Sequence, residues 1–142
     1  MTSPGPAARF GTEPPDTVCL GGDEIRLAPL AGLITELYLE EFPDQLAAHG
    51  RQAVTACTYA NHWLLAWAAQ DAVGAADVVA QSVWMGRVMH ARGFPVADLV
   101  RDLQIAARVT ADGSFGDASA VVSERIASAA HTVASIDFAG GA

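Results

Sequence analysis

The sequence predicts an all-α fold, a single compact bundle of about five helices, and three observations carry that prediction. Apolar residues recur three and four apart from Asp23 to the C-terminal region, the spacing of helices with one buried face. Alanine, the strongest helix former, makes up roughly a fifth of the chain. No segment alternates apolar and polar residues for long enough to argue a strand, so no sheet is expected. At 142 residues the chain has the length of one domain, and with 51% hydrophobic and 17% charged residues it has the composition of a folded one.

The elements follow in order. Residues 1–22 are rich in proline and glycine and read as a flexible N-terminal arm, ahead of a helical domain over 23–138 and a tail over 139–142. Leu30, Leu33, Ile34, Leu37, Tyr38 and Phe42 form the stripe of a first helix that ends near Pro43. Pro43 suits the first turn of the second, with Asp44 at its positive end. That helix runs to about Ala72 and bends or splits at Gly50. A third carries Val79, Val83, Trp84, Val88 and Met89 and is stopped by Gly93 as a left-handed cap. Pro95 opens a fourth, with Val96, Leu99, Val100, Leu103 and Ala107 inward. The segment 111–116 reads as turn chemistry, and Asp117 as the cap of a fifth helix with Val122, Ile126, Ala129, Val133 and Ile136 buried.

Charge excludes some partners. With eight Lys and Arg, all of them arginine, against sixteen acids, the net charge is −8, whereas nucleic acids and anionic membranes need clustered cations. No apolar run is long enough to cross a bilayer, and the N-terminus lacks a basic start followed by an apolar stretch. A cytoplasmic location is therefore expected. Cys19 and Cys57 are then free thiols, a single disulfide being the other arrangement they allow.

Catalytic motifs are missing from the sequence: there is no GxSxG, HExxH, GxxxxGK or GxGxxG, and no lysine, so a non-enzyme is expected. Glu40 and Glu41 point about 100° apart on a helix and read as solvated. Asp98 and Asp102 share a face, with Arg101 beside them completing an ordinary surface network. Were a site built from scattered polar residues, Asn61, His62 and Asp71 would be its first members. Tyr59, Trp63 and Trp67 form an aromatic row suited to a core or an interface. His49 and His131 read as exposed or at a helix edge. His90 continues the row Val79, Val83, Gly86, which turns its imidazole inward. A buried ring nitrogen needs a partner, either a backbone or side-chain group or a haem iron, and Gly86 leaves space for a flat ligand or a large side chain such as Trp63.

The stretch WMGRVMHARGFPVADLVRDLQIAARV, residues 84–109, resembles the proximal helix, corner and following helix of globin-coupled sensors and of the non-haem globin-like N-terminal domains of RsbR-type stress regulators. Phe42, His62 and His90 also follow an order similar to the haem-packing phenylalanine, distal histidine and proximal histidine of globins. The resemblance implies a globin-like bundle. Its function would be sensory or regulatory, non-catalytic and without cofactor, exerted on a protein partner or in a homodimer. Alternatively it implies a haem-binding globin that takes oxygen or another diatomic gas, with His90 on the iron, His62 distal and Phe42 against the porphyrin.

Overall fold

The computed structural model describes residues 13–140, so most of the segment read as an arm lies outside the described residues. The remainder of that segment is not loose. Thr17–Leu20 (β1) and Asp23–Arg26 (β2) pair antiparallel, Val18 opposite Ile25 and Leu20 opposite Asp23. This small sheet corrects the expectation of helices alone. Its turn is Gly21-Gly22, with φ of 59° and 86°, two consecutive left-handed residues that match the twist of a two-residue hairpin. Leu20 and Ile25 bury their side chains, so the hairpin is fastened by its own apolar face.

Six α-helices follow among the described residues: α1 Leu27–Glu41, α2 Pro43–His49, α3 Arg51–Ala72, α4 Val78–Ala91, α5 Val96–Thr110 and α6 Ser119–Ser135. The expected second helix is split at Gly50, which separates α2 from α3. The buried side of α1 is Leu27, Ala31, Ile34, Thr35, Tyr38 and Leu39, and Leu33 is 41% exposed rather than inward. Two aspartates serve α4: Asp77 accepts from the Ala80 N–H at 3.1 Å, and Asp71 from the Val78 N–H at 2.8 Å. The helix stops where expected. Gly93 has φ of 80°, and the Phe94 N–H returns to the Met89 carbonyl at 2.9 Å. Asp117 does not cap the last helix; it lies in a 3₁₀ turn, Gly116–Ala118, and α6 starts without a side-chain cap.

Along α3, Leu64 to Ala69 are buried without interruption, the mark of a helix surrounded by others. It packs on α1, α4 and α6, while α6 packs chiefly on α5 and α4. Ala66, Ala68, Ala106, Ala129 and Ala130 let these backbones approach, and Leu65, Leu103, Ile126 and Phe115 fill the space between. No helix among the described residues is long and apolar enough to cross a membrane.

Candidate functional site

His90 faces outward. It is exposed near the end of α4, which overturns the inward orientation expected from spacing. The open space beside Gly86 is taken by Phe138: a Cβ at Gly86 would lie 2.8 Å from the Phe138 Cζ, and the His90 and Phe138 rings are 6.3 Å apart. Trp63 does not fill that space; it pairs with Trp67 at 5.9 Å. The His62 Nε2 donates to the Pro15 carbonyl at 2.8 Å and so ties the residues before β1 to α3. Phe42 stacks on Tyr38 at 4.7 Å. The three residues have three separate sets of neighbours, and an exposed imidazole beside a filled space does not fit a porphyrin held by His90. His90→Phe is expected to leave stability within about 0.5 kcal/mol, and added hemin to give the same absorption spectrum with wild type and variant. A visible band lost only in the variant would restore the ligand role.

The polar residues that do converge lie between α1, α3 and α5. Thr35 donates to the Ala31 carbonyl at 2.8 Å, and the Asn61 Nδ2 donates to the Thr35 Oγ1 at 3.0 Å. Asn61 is 1% exposed, and its Oδ1 has no hydrogen-bond partner among the described residues. Desolvation is the largest effect on the Asp102 carboxyl and pushes it up to about 7, against a smaller lowering by Asn61. Residue 102 keeps some exposed surface.

Around this pair the Gln45 Nε2 donates to the Tyr38 hydroxyl at 2.7 Å and to Asp98 Oδ2 at 3.1 Å. Burial raises Asp98 above the usual carboxylate range, partly offset by that hydrogen bond, and raises Tyr38 further above the usual phenol range. Cys57 is pushed up to about 11, first by burial and then by the charge of Asp102, so its thiol is a poor nucleophile. Cys19 and Cys57 are both free.

Arg101 does not serve these acids. It turns to Glu41, with Nε–Oε1 at 2.7 Å and Nη2–Oε2 at 2.8 Å, a bidentate pair that lowers Glu41 and leaves Asp98 to Gln45. The surface network expected for Asp98, Arg101 and Asp102 is thereby corrected, whereas Glu41 is exposed, as expected, and pairs with Arg101 at the surface. Of the three scattered suspects, Asn61 belongs to the cluster, His62 holds Pro15, and Asp71 joins α3 to the start of α4 and to Arg125 at 2.9 Å. Asp71 is thus structural. Sequence reasoning passed over Thr35, Gln45 and the inward turn of Asp102; the available signal was a polar row, Thr35 and Tyr38, on the buried side of α1.

A second feature lies on the other side of α5. Val96, Ala97 and Val100 of α5, Val133 and Ala134 of α6, and Phe138 beyond it line an apolar groove of about 330 Å³. Phe94, just before α5, is 53% exposed. Among the described residues no group of three or more His, Cys, Asp or Glu is placed to hold a metal ion. Comparisons with protein-family models, with curated proteins and with solved structures gave no match to this chain.

Proposed function

We propose that the chain is a non-catalytic, globin-like sensory or regulatory domain that acts through protein–protein contacts, with a protein partner or a second copy. The observation that carries this reading is the open apolar groove between α5 and α6, with exposed Phe94 near its start. Apolar grooves of this kind receive side chains of a partner, and an exposed aromatic residue is a common anchor. Supporting it, Trp84–Val109 form a helix, a Gly93 corner and a Pro95-started helix, the order of elements in the sensor and regulator families they resemble. Phe138 against Gly86 is the kind of side-chain filling that a haem-free bundle of this type needs. Among the described residues the polar cluster holds no nucleophile paired with a base: its only thiol is kept protonated.

The test is photo-crosslinking from a benzophenone residue at position 97, an exposed point on the groove wall. A discrete adduct, with a second copy or with another protein, is expected, and Ala134→Glu across the groove should reduce it about tenfold while leaving the helical circular dichroism unchanged. A missing adduct, or one indifferent to Ala134→Glu, would count against protein contacts at this face.

A further inference from the structure

The segment after α6 is attached by side chains rather than by its backbone. Ile136 is extended, with φ of −89° and ψ of 132°, so α6 stops there, and two residues on Phe138 reaches Gly86 of α4. Among the described residues the hydrogen bonds of 136–140 are local. The Ile136 N–H donates to the Val133 carbonyl at 3.3 Å, and Asp137 Oδ1 accepts from the N–H groups of Ala139 at 3.1 Å and Gly140 at 3.0 Å. This turn folds the backbone around Phe138 without tying it to the bundle. Ile136 and Phe138 are half-buried, and Asp137 between them is exposed. Attachment thus falls to two apolar side chains.

The seat of Phe138 is specific. A Cβ at Gly86 would lie 2.8 Å from Phe138 Cζ, 3.3 Å from Cε1 and 3.5 Å from Cε2, so the ring points its far edge into a notch that any side chain at 86 would fill. Alanine would be the better helix former there, and it would take the ring's place. Gly32 of α1, by contrast, has nothing within 4 Å of its Cβ position. The Phe138 ring also lines the groove, together with Ile136, Val96, Val100 and Val133. Withdrawing the ring therefore joins the notch to the groove. The chain already lays an aliphatic and an aromatic side chain, two positions apart, on this face, and an extended segment carrying the same pair has the chemistry to replace them.

We propose that residues 136–140 are an internal competitor for the groove: Phe138 fills the notch at Gly86 until a partner's extended segment, with an aliphatic residue and a phenylalanine two positions later, takes its place. The proposal rests on the reading of the groove as a contact face. A tethered occupant acts at an effective concentration on the order of millimolar, so a partner's apparent affinity is reduced by the fraction of molecules whose notch is free. With few buried contacts and only local hydrogen bonds, the segment can leave without opening the bundle.

The experiment uses the full chain, with a blocked fluorescent peptide of residues 134–140 as the probe. By anisotropy, Phe138→Ala is expected to bind the peptide about tenfold or more tightly than wild type does, and the same peptide carrying Phe138→Ala should not bind. Gly86→Ala puts a methyl group where the ring ends, which expels Phe138 and closes the notch to the peptide too, so it should bind no better than wild type. Circular dichroism checks that both variants keep their helices. Wild type gives a readout that needs no variant: the His90 ring protons, on a ring 6.3 Å from that of Phe138, should shift in NMR spectra as the peptide binds. Equal affinity of wild type and Phe138→Ala, no binding by either, Gly86→Ala binding as tightly as Phe138→Ala, or an unmoved His90 signal in the peptide-bound wild type overturns the competitor. Crosslinking from position 97 is then compared in wild type and Phe138→Ala. A rise of about threefold or more in the variant supports competition with the partner. An adduct of unchanged yield overturns the competitor alone, and an adduct made only of two copies of this chain overturns the partner segment. No adduct in either overturns the contact reading, while peptide binding decides whether 136–140 compete for the notch.

Discussion

Asp102→Asn is expected to stabilise the protein at about pH 8 by roughly 3 to 4 kcal/mol, and to remove most of the pH dependence of its unfolding between about pH 4 and about pH 7. The sign follows from the direction of the shift. Desolvation raises Asp102 from 3.8 to about 7, so the folded state keeps a proton that the unfolded chain has already released. Below the unfolded value both states are neutral and folding loses nothing at this residue. As pH rises toward the folded value the unfolded chain gains its charge without cost, and stability declines until both states are ionised. About three units at about 1.4 kcal/mol each is a large part of the roughly 5 to 15 kcal/mol by which domains are stable. Asparagine has the shape without the charge. At acidic pH, where Asp102 is already neutral, it should instead lose about 1 kcal/mol with the acid hydroxyl. Urea titrations of both proteins across this range measure the difference. A variant less stable than wild type at the higher pH would mean that the carboxylate, not the acid, is the form the fold prefers.

Residue patterning made the helices legible and left the cluster hidden, for one physical reason. Period and punctuation are local, so Pro43, Gly50, Gly93 and Pro95 mark real boundaries of α2, α3, α4 and α5. The side of a helix on which a polar residue lands depends on its neighbours in space. Asp102 read as a surface charge beside Arg101 until Glu41, sixty positions away from Arg101, took the guanidinium. His90 erred the other way: its apolar row was genuine, but near the helix end the row runs out into solvent, and the space at Gly86 goes to Phe138 from the far end of the chain. The hairpin was missed because each strand has only four residues, too short for alternation to register, although Gly-Gly between Leu20 and Asp23 is itself a hairpin turn signal.

Phe115→Ala is expected to cost about 3 to 4 kcal/mol and to lower the melting temperature by about 10 °C or more. The segment 111–116 carries the glycines and polar residues of a surface turn, yet Phe115 is fully buried and is among the largest side chains with no exposed area. Its N–H donates to the Ser119 hydroxyl at 2.9 Å, which joins the turn to the start of α6 where no side-chain cap is present. Next to it Gly116 is so close to the hairpin that a Cβ there would lie 2.7 Å from Asp23 Oδ2. The ring thus anchors the α5–α6 connection near the place where it meets β2, and truncation leaves a cavity in the core. Phe115→Leu keeps most of the volume and should cost about 1.5 kcal/mol or less. Phe94→Ala is the control, since that ring is 53% exposed and its loss should change stability by about 0.5 kcal/mol or less. Equal melting temperatures for Phe115→Ala and Phe94→Ala would show that the turn is not an anchor. The expected separation between them would also divide the two aromatic residues by role, Phe115 holding the bundle together and Phe94 left free for a contact outside it.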